Sequence, residues 1–415
     1  MAGLGPLNDG GHVAIIGGGP GGVGCALALH RMASEAGRHL QITLFEGKQF
    51  QGARHHNLCV GVVSPPLPSL MEQYLGVPCP EHLREGVITG YVLHTRHEQI
   101  LLEDARHPSY ALRRVRFDAY MLDMARQRGI RIVPARVVAV EFHADRVIIY
   151  SEADSVEADV VVGAFGMDEG AAALFSRAVG YHPPKALYSV LTRYHPGPAG
   201  LARFGPRVHA FLGRPDGIEF GAITPKGDHL TVNIAGLRVG ADTMHRFLAD
   251  PEVKALLPPA DGEQAGDPSD FRVFKGRFPR SLARNYYGDR YVMVGDAAGL
   301  VRAFKGKGVT SAVQTGIRAA ETILQVGISH YAFATHYEAL NQDITGDLGF
   351  GRAVRLMVLL AARFGLLDPV VRAARHEPGV REALYGAVSA HQPYRQVLYR
   401  ILNPHALAAV LRAMI

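Results

Sequence analysis

Apolar and polar positions along this chain follow two periods, and the change from one to the other marks its elements. Residues 12–16, 41–45 and 291–294 are short, nearly unbroken apolar runs, as expected of strands buried on both faces. Residues 23–36 and 309–324 have helical spacing; a third amphipathic helix runs from Asp118 to about Arg128, before a strand at 130–133. Strand-like segments at 90–95, 186–194, 207–212, 218–224 and 230–235 fall in two β-rich insertions, at 66–104 and 172–285. From His330 onward the pattern is helical and apolar, with breaks expected at Pro369, Pro378, Pro393 and Pro404.

The turn between the first strand and the first helix reads Gly17-Gly18-Gly19-Pro20-Gly21-Gly22. Gly17 permits a tight turn, Gly19 lets a pyrophosphate approach the backbone, and Gly22 with Ala26 permits close packing of helix on strand. Phosphates then meet the positive end of the helix. The second strand ends at Glu46, placed to accept hydrogen bonds from an adenosine ribose and to disfavour a 2′-phosphate. These residues point to a bound dinucleotide and leave FAD and NAD equally open.

At 415 residues and 48% apolar content, the chain can build two or three packed units. It lacks the opening pattern of a secretory signal and any run of about 18 uncharged apolar residues, so a cytoplasmic protein is expected. Cys25, Cys59 and Cys79 are too few and too irregular for a disulfide framework or a zinc site, and no metal is expected. Redox chemistry must come from a cofactor or a lone thiol. Between Gly351 and Ile415 stand nine arginines, no lysine and three acids, a net +6 that equals the excess of the whole chain. Such a basic, apolar tail suits an anionic membrane surface or a redox carrier; it could equally be a packed helical unit with snorkelling arginines. Nucleic acid is not expected as a partner, since no binding module is present.

A second glycine-rich segment, Gly295-Asp296-Ala297-Ala298-Gly299 followed by Gly306-Lys307-Gly308, opens the helix at 309–324. It resembles the second FAD motif of the p-hydroxybenzoate-hydroxylase-like flavoproteins, which implies FAD, with Asp296 on its ribityl chain and the start of the helix at the flavin. Leu112-Arg113-Arg114-Val115-Arg116-Phe117-Asp118 is similar to the arginine segment of the geranylgeranyl reductase family, and the likeness implies that Arg114, or Arg113, contacts FAD. Asn57-Leu58-Cys59-Val60-Gly61 lies where that family carries a cysteine-glycine segment beside the flavin, and Phe220 to Pro225 where it carries a substrate motif. Phe165 stands where the hydroxylase-like proteins have an aspartate associated with nicotinamide use, which leaves NAD(P)H, ferredoxin or another carrier as electron donor.

The resemblance implies an α/β fold: a Rossmann-type FAD-binding domain (11–65, 105–171 and 286–345), an inserted antiparallel β-sheet substrate domain (66–104 and 172–285) and a C-terminal helical region (346–415). Its implied reaction is reduction of a carbon–carbon double bond in an apolar, isoprenoid-like small molecule, with a proton from Cys59 or His56. Two other functions share the fold: a flavin monooxygenase using NAD(P)H and oxygen, and an electron-transfer flavoprotein docking on a membrane. The chain has no tryptophan and so lacks the Trp-x-Trp signature of the flavin halogenases.

Overall fold

The computed structural model describes residues 3–48, 59–103, 108–259, 271–302 and 308–415. The apolar runs form one sheet in the order Tyr287–Gly288, Tyr291–Met293, Val160–Gly163, His12–Ile16, Gln41–Phe45 and Arg131–Val133; all neighbours are parallel except the first pair. Val13, Ala14 and Ile15 are fully buried in its centre, which is why both faces read as apolar. The chain leaves His12–Ile16 for Gln41–Phe45 on one side, while Val160–Gly163 flanks it on the other. That reversal opens a crevice at the strands' C-terminal ends, where doubly wound sheets bind ligands. The crossover into His12–Ile16's second neighbour is an antiparallel meander of Val137–Phe142, Val147–Ser151 and Ser155–Ala158, in place of a helix.

A second sheet has seven strands, in the order Val273–Pro279, Ala186–Tyr194, His229–Gly236, Phe220–Lys226, Arg207–Phe211, Gly90–His94 and Gln99–Glu103. It is antiparallel as expected, with one correction: Gly90–His94 and Arg207–Phe211 run parallel. More than a hundred residues separate those two strands, and a connection of that length leaves either direction open. On adjacent strands of this sheet, His94 Nε2 and Nδ1 of the half-buried His209 share a hydrogen bond of 2.9 Å, and the Phe211 ring stacks on His94. Burial lowers both imidazoles to about 4, with Arg214 adding to the effect on His94 and His94 to that on His209. An unfolded histidine titrates near 6.5, so this pair stabilises the fold fully above that pH and loses its contribution as pH falls toward 4. Unfolding free energies from urea denaturation should therefore drop between pH 7.5 and pH 5 by on the order of 2 kcal/mol per ring, and His209→Phe should flatten the drop.

The C-terminal helices Gln342–Arg363, Leu367–Ala374, Pro378–Ser389, Tyr394–Ile401 and Pro404–Arg412 pack on the outer part of the seven-stranded sheet, where Val354, Val371, Tyr394 and Val397 share a core with Leu93 and Leu102. Pro378 and Pro404 open helices, and Pro393 caps one. Pro369 breaks nothing: it occupies the first turn of Leu367–Ala374, where a missing N–H costs no hydrogen bond, and the chain turns instead at Gly365, with φ +68°. Much of the tail's positive charge is engaged internally. Arg355 forms a bidentate pair with Glu219, Arg372 and Arg375 reach Glu98, and Arg381 donates to Leu101 O at 2.9 Å. Arg400 pairs with Glu382 at 3.2 Å. Among the described residues, no helix is long and apolar enough to cross a membrane.

Candidate functional site

The crevice of the parallel sheet is built by a glycine turn in which Gly17 and Gly22 cannot be replaced without collision. A Cβ on Gly17, with φ +113°, would lie 2.4 Å from Ala164 O; one on Gly22 would lie 1.9 Å from Gly17 O. A Cβ on Gly19 would meet nothing within 4 Å. The turn is therefore closed on its protein side at Gly17 and Gly22 and open at Gly19. Helix Pro20–Glu35 begins there with proline in its first turn and no side-chain cap, so its first amide N–H groups face the crevice as donors. Glu46 braces the turn: Oε2 accepts from Gly18 N and Oε1 from Lys48 N, each at 2.8 Å. Each oxygen keeps a second lone pair for a ligand hydroxyl.

The segment Gly295–Ala297 enters the same crevice. Gly295, with φ +59°, donates to Thr315 Oγ1 at 2.9 Å; Tyr181 OH donates to Ala297 O at 2.6 Å and Tyr337 OH to Met293 O at 3.0 Å. These bonds fix the main chain on both sides of Asp296. Helix Gly308–Gln325 starts beside it, since a Cβ on Gly308 would lie 3.9 Å from Asp296 Oδ1. That helix packs directly on the first one: a Cβ on Gly316 would lie 2.4 Å from Gly21 O, and one on Gly24 3.3 Å from Val313 Cα. Two helix N-termini thus serve one crevice. Burial pushes the Asp296 carboxyl up to about 6, against the opposing pull of the Arg114 guanidinium.

Arg114 is set in place by Asp118, one helical turn on, to whose carboxylate Nε and Nη2 each donate at 3.1 Å. Its Nη1 lies 4.0 Å from Cys59 Sγ. Burial works against the guanidinium's charge, but Asp118, Cys59 and Asp296 together hold its pKa above the ordinary arginine value. Arg113 faces the other way, pairing with Glu85 at 2.9 Å and Asp228 at 2.7 Å. His56, Gly306 and Lys307 lie outside the described residues. Phe165 packs on Phe175 at 5.5 Å between ring centroids and meets Tyr181 edge-on, so it belongs to the core of the parallel-sheet half.

Sequence reasoning did not single out Lys226. It ends strand Phe220–Lys226, is 5% exposed, and sends Nζ to Val60 O at 3.2 Å and Cys59 O at 3.4 Å. Burial lowers its pKa, with Cys59 and Glu85 opposing. Gly61, with φ +71°, must be glycine here, because a Cβ would lie 2.1 Å from Leu112 O and 2.6 Å from Lys226 Nζ. A lysine next to a hairpin glycine reads as an exposed turn residue, and no periodicity marks it as buried. Asp118 had a usable signal, its i, i+4 spacing from Arg114. Beside Lys226, Asp228 Oδ1 accepts a hydrogen bond from His229 Nδ1 at 2.8 Å; burial lowers that imidazole to about 4 despite the carboxylate.

No family model matches this chain. Among solved structures it is similar to a flavoprotein/dehydrogenase from Cytophaga hutchinsonii, with 14% identity, a TM-score of 0.67 and 98% of each chain covered. It is also similar to a geranylgeranyl bacteriochlorophyll reductase-like protein from Thermoplasma acidophilum, with 17% identity, a TM-score of 0.59, and 98% of this chain and 96% of that one covered. A halogenase, PltM, aligns at 12% identity and a TM-score of 0.66, over 95% of this chain and 87% of the other. At these identities the likeness is one of fold, and the fold is that of the FAD-binding flavoproteins, with a parallel-stranded sheet, a second sheet and a helical C-terminal region.

Proposed function

We propose that this chain is an FAD-dependent oxidoreductase that reduces a carbon–carbon double bond of an apolar, isoprenoid-like substrate. The observation that carries the cofactor reading is the meeting of the open Gly19 turn and the Asp296–Gly308 corner in one crevice. The donor set fits FAD. Uncapped amides of Pro20–Glu35 suit a pyrophosphate, Glu46 a ribose, Asp296 the ribityl hydroxyls, and the start of Gly308–Gln325 an electron-rich ring edge. The solved flavoproteins of the same fold support this reading, and the one described as reductase-like supports the choice of reaction.

Reduced FAD, when bound, supplies a hydride. The chain's own part in the reaction is the proton. Cys59 holds its thiol 4.0 Å from Arg114 Nη1, while Lys226 fixes the carbonyls of Cys59 and Val60. When the S–H bond breaks and a C–H bond forms on the substrate, the thiolate left behind is stabilised by the guanidinium, and that cation is kept in place by Asp118. Electrons arrive from NAD(P)H or a ferredoxin-type carrier. Exposed Leu356 and Leu360 on helix Gln342–Arg363, with Phe364 at its C-terminal cap, favour a peripheral contact with an apolar or lipid phase over an entirely aqueous setting.

Anaerobic mixing of the reduced protein with geranylgeranyl lipids tests the reaction. The flavin should reoxidise and the lipid gain two hydrogens, and Cys59→Ala should slow turnover about 100-fold and remove a limb of the pH–rate profile. Oxygen-dependent turnover with an oxygenated product would instead establish a monooxygenase. A flavin unaffected by any lipid, with or without oxygen, would leave an electron carrier.

A further inference from the structure

A second cavity, of about 540 Å³, lies between the seven-stranded sheet and helix Gln342–Arg363. Its wall includes Glu219, which directly precedes strand Phe220–Lys226, whereas Lys226 at the strand's other end belongs to the cofactor crevice. Seven residues of extended chain place the two roughly 23 Å apart. Apolar surface comes from Ile218, Leu237, Val358 and Leu359. The volume is in the usual range for small-molecule sites, about 300–1,000 Å³.

The charges around this cavity are unevenly matched. Glu219 is neutralised by the bidentate Arg355, with Nε 2.6 Å from Oε2. Arg214, almost fully buried, is taken up by Asp250 at 3.1 Å and by Glu252. Arg238 and Arg363 also line the cavity, both are exposed, and neither guanidinium has a hydrogen bond or ion pair within the described residues. The result is an apolar trough carrying two guanidinium groups without a partner among the described residues. A small inorganic anion would satisfy the arginines but leave the trough wet, and a neutral hydrocarbon would fill the trough but leave the arginines unmatched. An amphipathic anion satisfies both, and guanidinium groups favour planar, two-oxygen acceptors.

We propose that this cavity binds one fatty carboxylate per chain, with its alkyl tail against Ile218, Leu237, Val358 and Leu359 and its carboxylate held by Arg238 and Arg363. The site is separate from the cofactor crevice and its occupancy does not depend on the reaction performed there.

Calorimetric titration of the full-length protein with decanoate tests the proposal, with decanol, inorganic phosphate and phosphatidylglycerol vesicles as comparison ligands. One decanoate should bind per chain, decanol should bind about tenfold more weakly, and phosphate should give no saturable heat. The double variant R238E/R363E changes only exposed side chains and should weaken decanoate at least 20-fold. Ala362→Trp, which fills the trough, should abolish binding, with circular dichroism confirming that the variant is folded. Asp296→Asn, in the crevice, should change decanoate affinity by less than twofold. The proposal is overturned if R238E/R363E binds decanoate as tightly as the parent, if Asp296→Asn removes binding, or if only vesicles and never monomeric decanoate bind.

Discussion

Replacing Gly19 by alanine should leave the ligand-free fold within about 1 kcal/mol of the parent while lowering FAD affinity at least 100-fold, which at about 1.4 kcal/mol per tenfold is a loss near 3 kcal/mol. The asymmetry follows from the geometry. A Cβ on Gly19 points into open space and its backbone, at φ −74° and ψ −178°, suits any residue, so the protein itself loses only helix-start propensity. That open space is also the approach to the uncapped amides of Pro20–Glu35, where a methyl group holds a pyrophosphate away from its donors. Gly22→Ala should behave differently. Its Cβ would sit 1.9 Å from Gly17 O, so the turn must shift, and both stability and cofactor binding should suffer. Urea denaturation of the flavin-free proteins, followed by FAD titration, separates the two effects.

The largest change in stability is expected at Arg114. Arg114→Leu should cost about 3–5 kcal/mol, because Asp118, whose side chain is fully buried, then keeps a carboxylate without its bidentate partner. Asp296 loses the cation that opposes its burial in the same step. The Asp296 carboxyl would then be held more strongly in the protonated form when folded. The deficit should therefore be full near neutral pH and shrink as pH falls toward about 4, where the unfolded chain is protonated too. Arg114→Leu combined with Asp118→Leu should recover most of the lost stability, since removing both charges leaves no stranded ion. A double-mutant cycle by urea denaturation at pH 7.5 and pH 5 measures this, and an additive cycle would show that the pair is not coupled.

What the sequence made legible was local. The Gly17 to Gly22 turn, Glu46 at the end of the second strand and the Gly295–Asp296 corner are each specified within a few residues, and they occupy one crevice in the structure. Of the two candidate arginines, Arg114 lies beside Asp296 and Cys59, while Arg113 belongs to an ion-pair cluster with Glu85 and Asp228. Choosing between adjacent arginines depends on which way each points from the helix start, and composition carries no such direction.

Features set by distant partners were not legible. The arginines of the C-terminal region read as a basic face because their partners Glu219 and Glu98 lie more than a hundred residues away in sequence, each just before a strand of the seven-stranded sheet. Lys226 is buried only because segment 59–61 folds over the end of its strand. The parallel pairing of Gly90–His94 with Arg207–Phe211 likewise depends on a long connection with no local signature. The meander at 137–158 was hidden for another reason: Val137 and Val138 are apolar neighbours, with Val138 52% exposed, so alternation is lost where the strand begins.

Identification of the ligand released when the purified protein is denatured tests the cofactor assignment most directly. An FAD-dependent enzyme of this geometry releases one FAD per chain from the parent protein and little or none from Gly19→Ala. Release of NAD in place of FAD, or retention of stoichiometric FAD by Gly19→Ala, would contradict it.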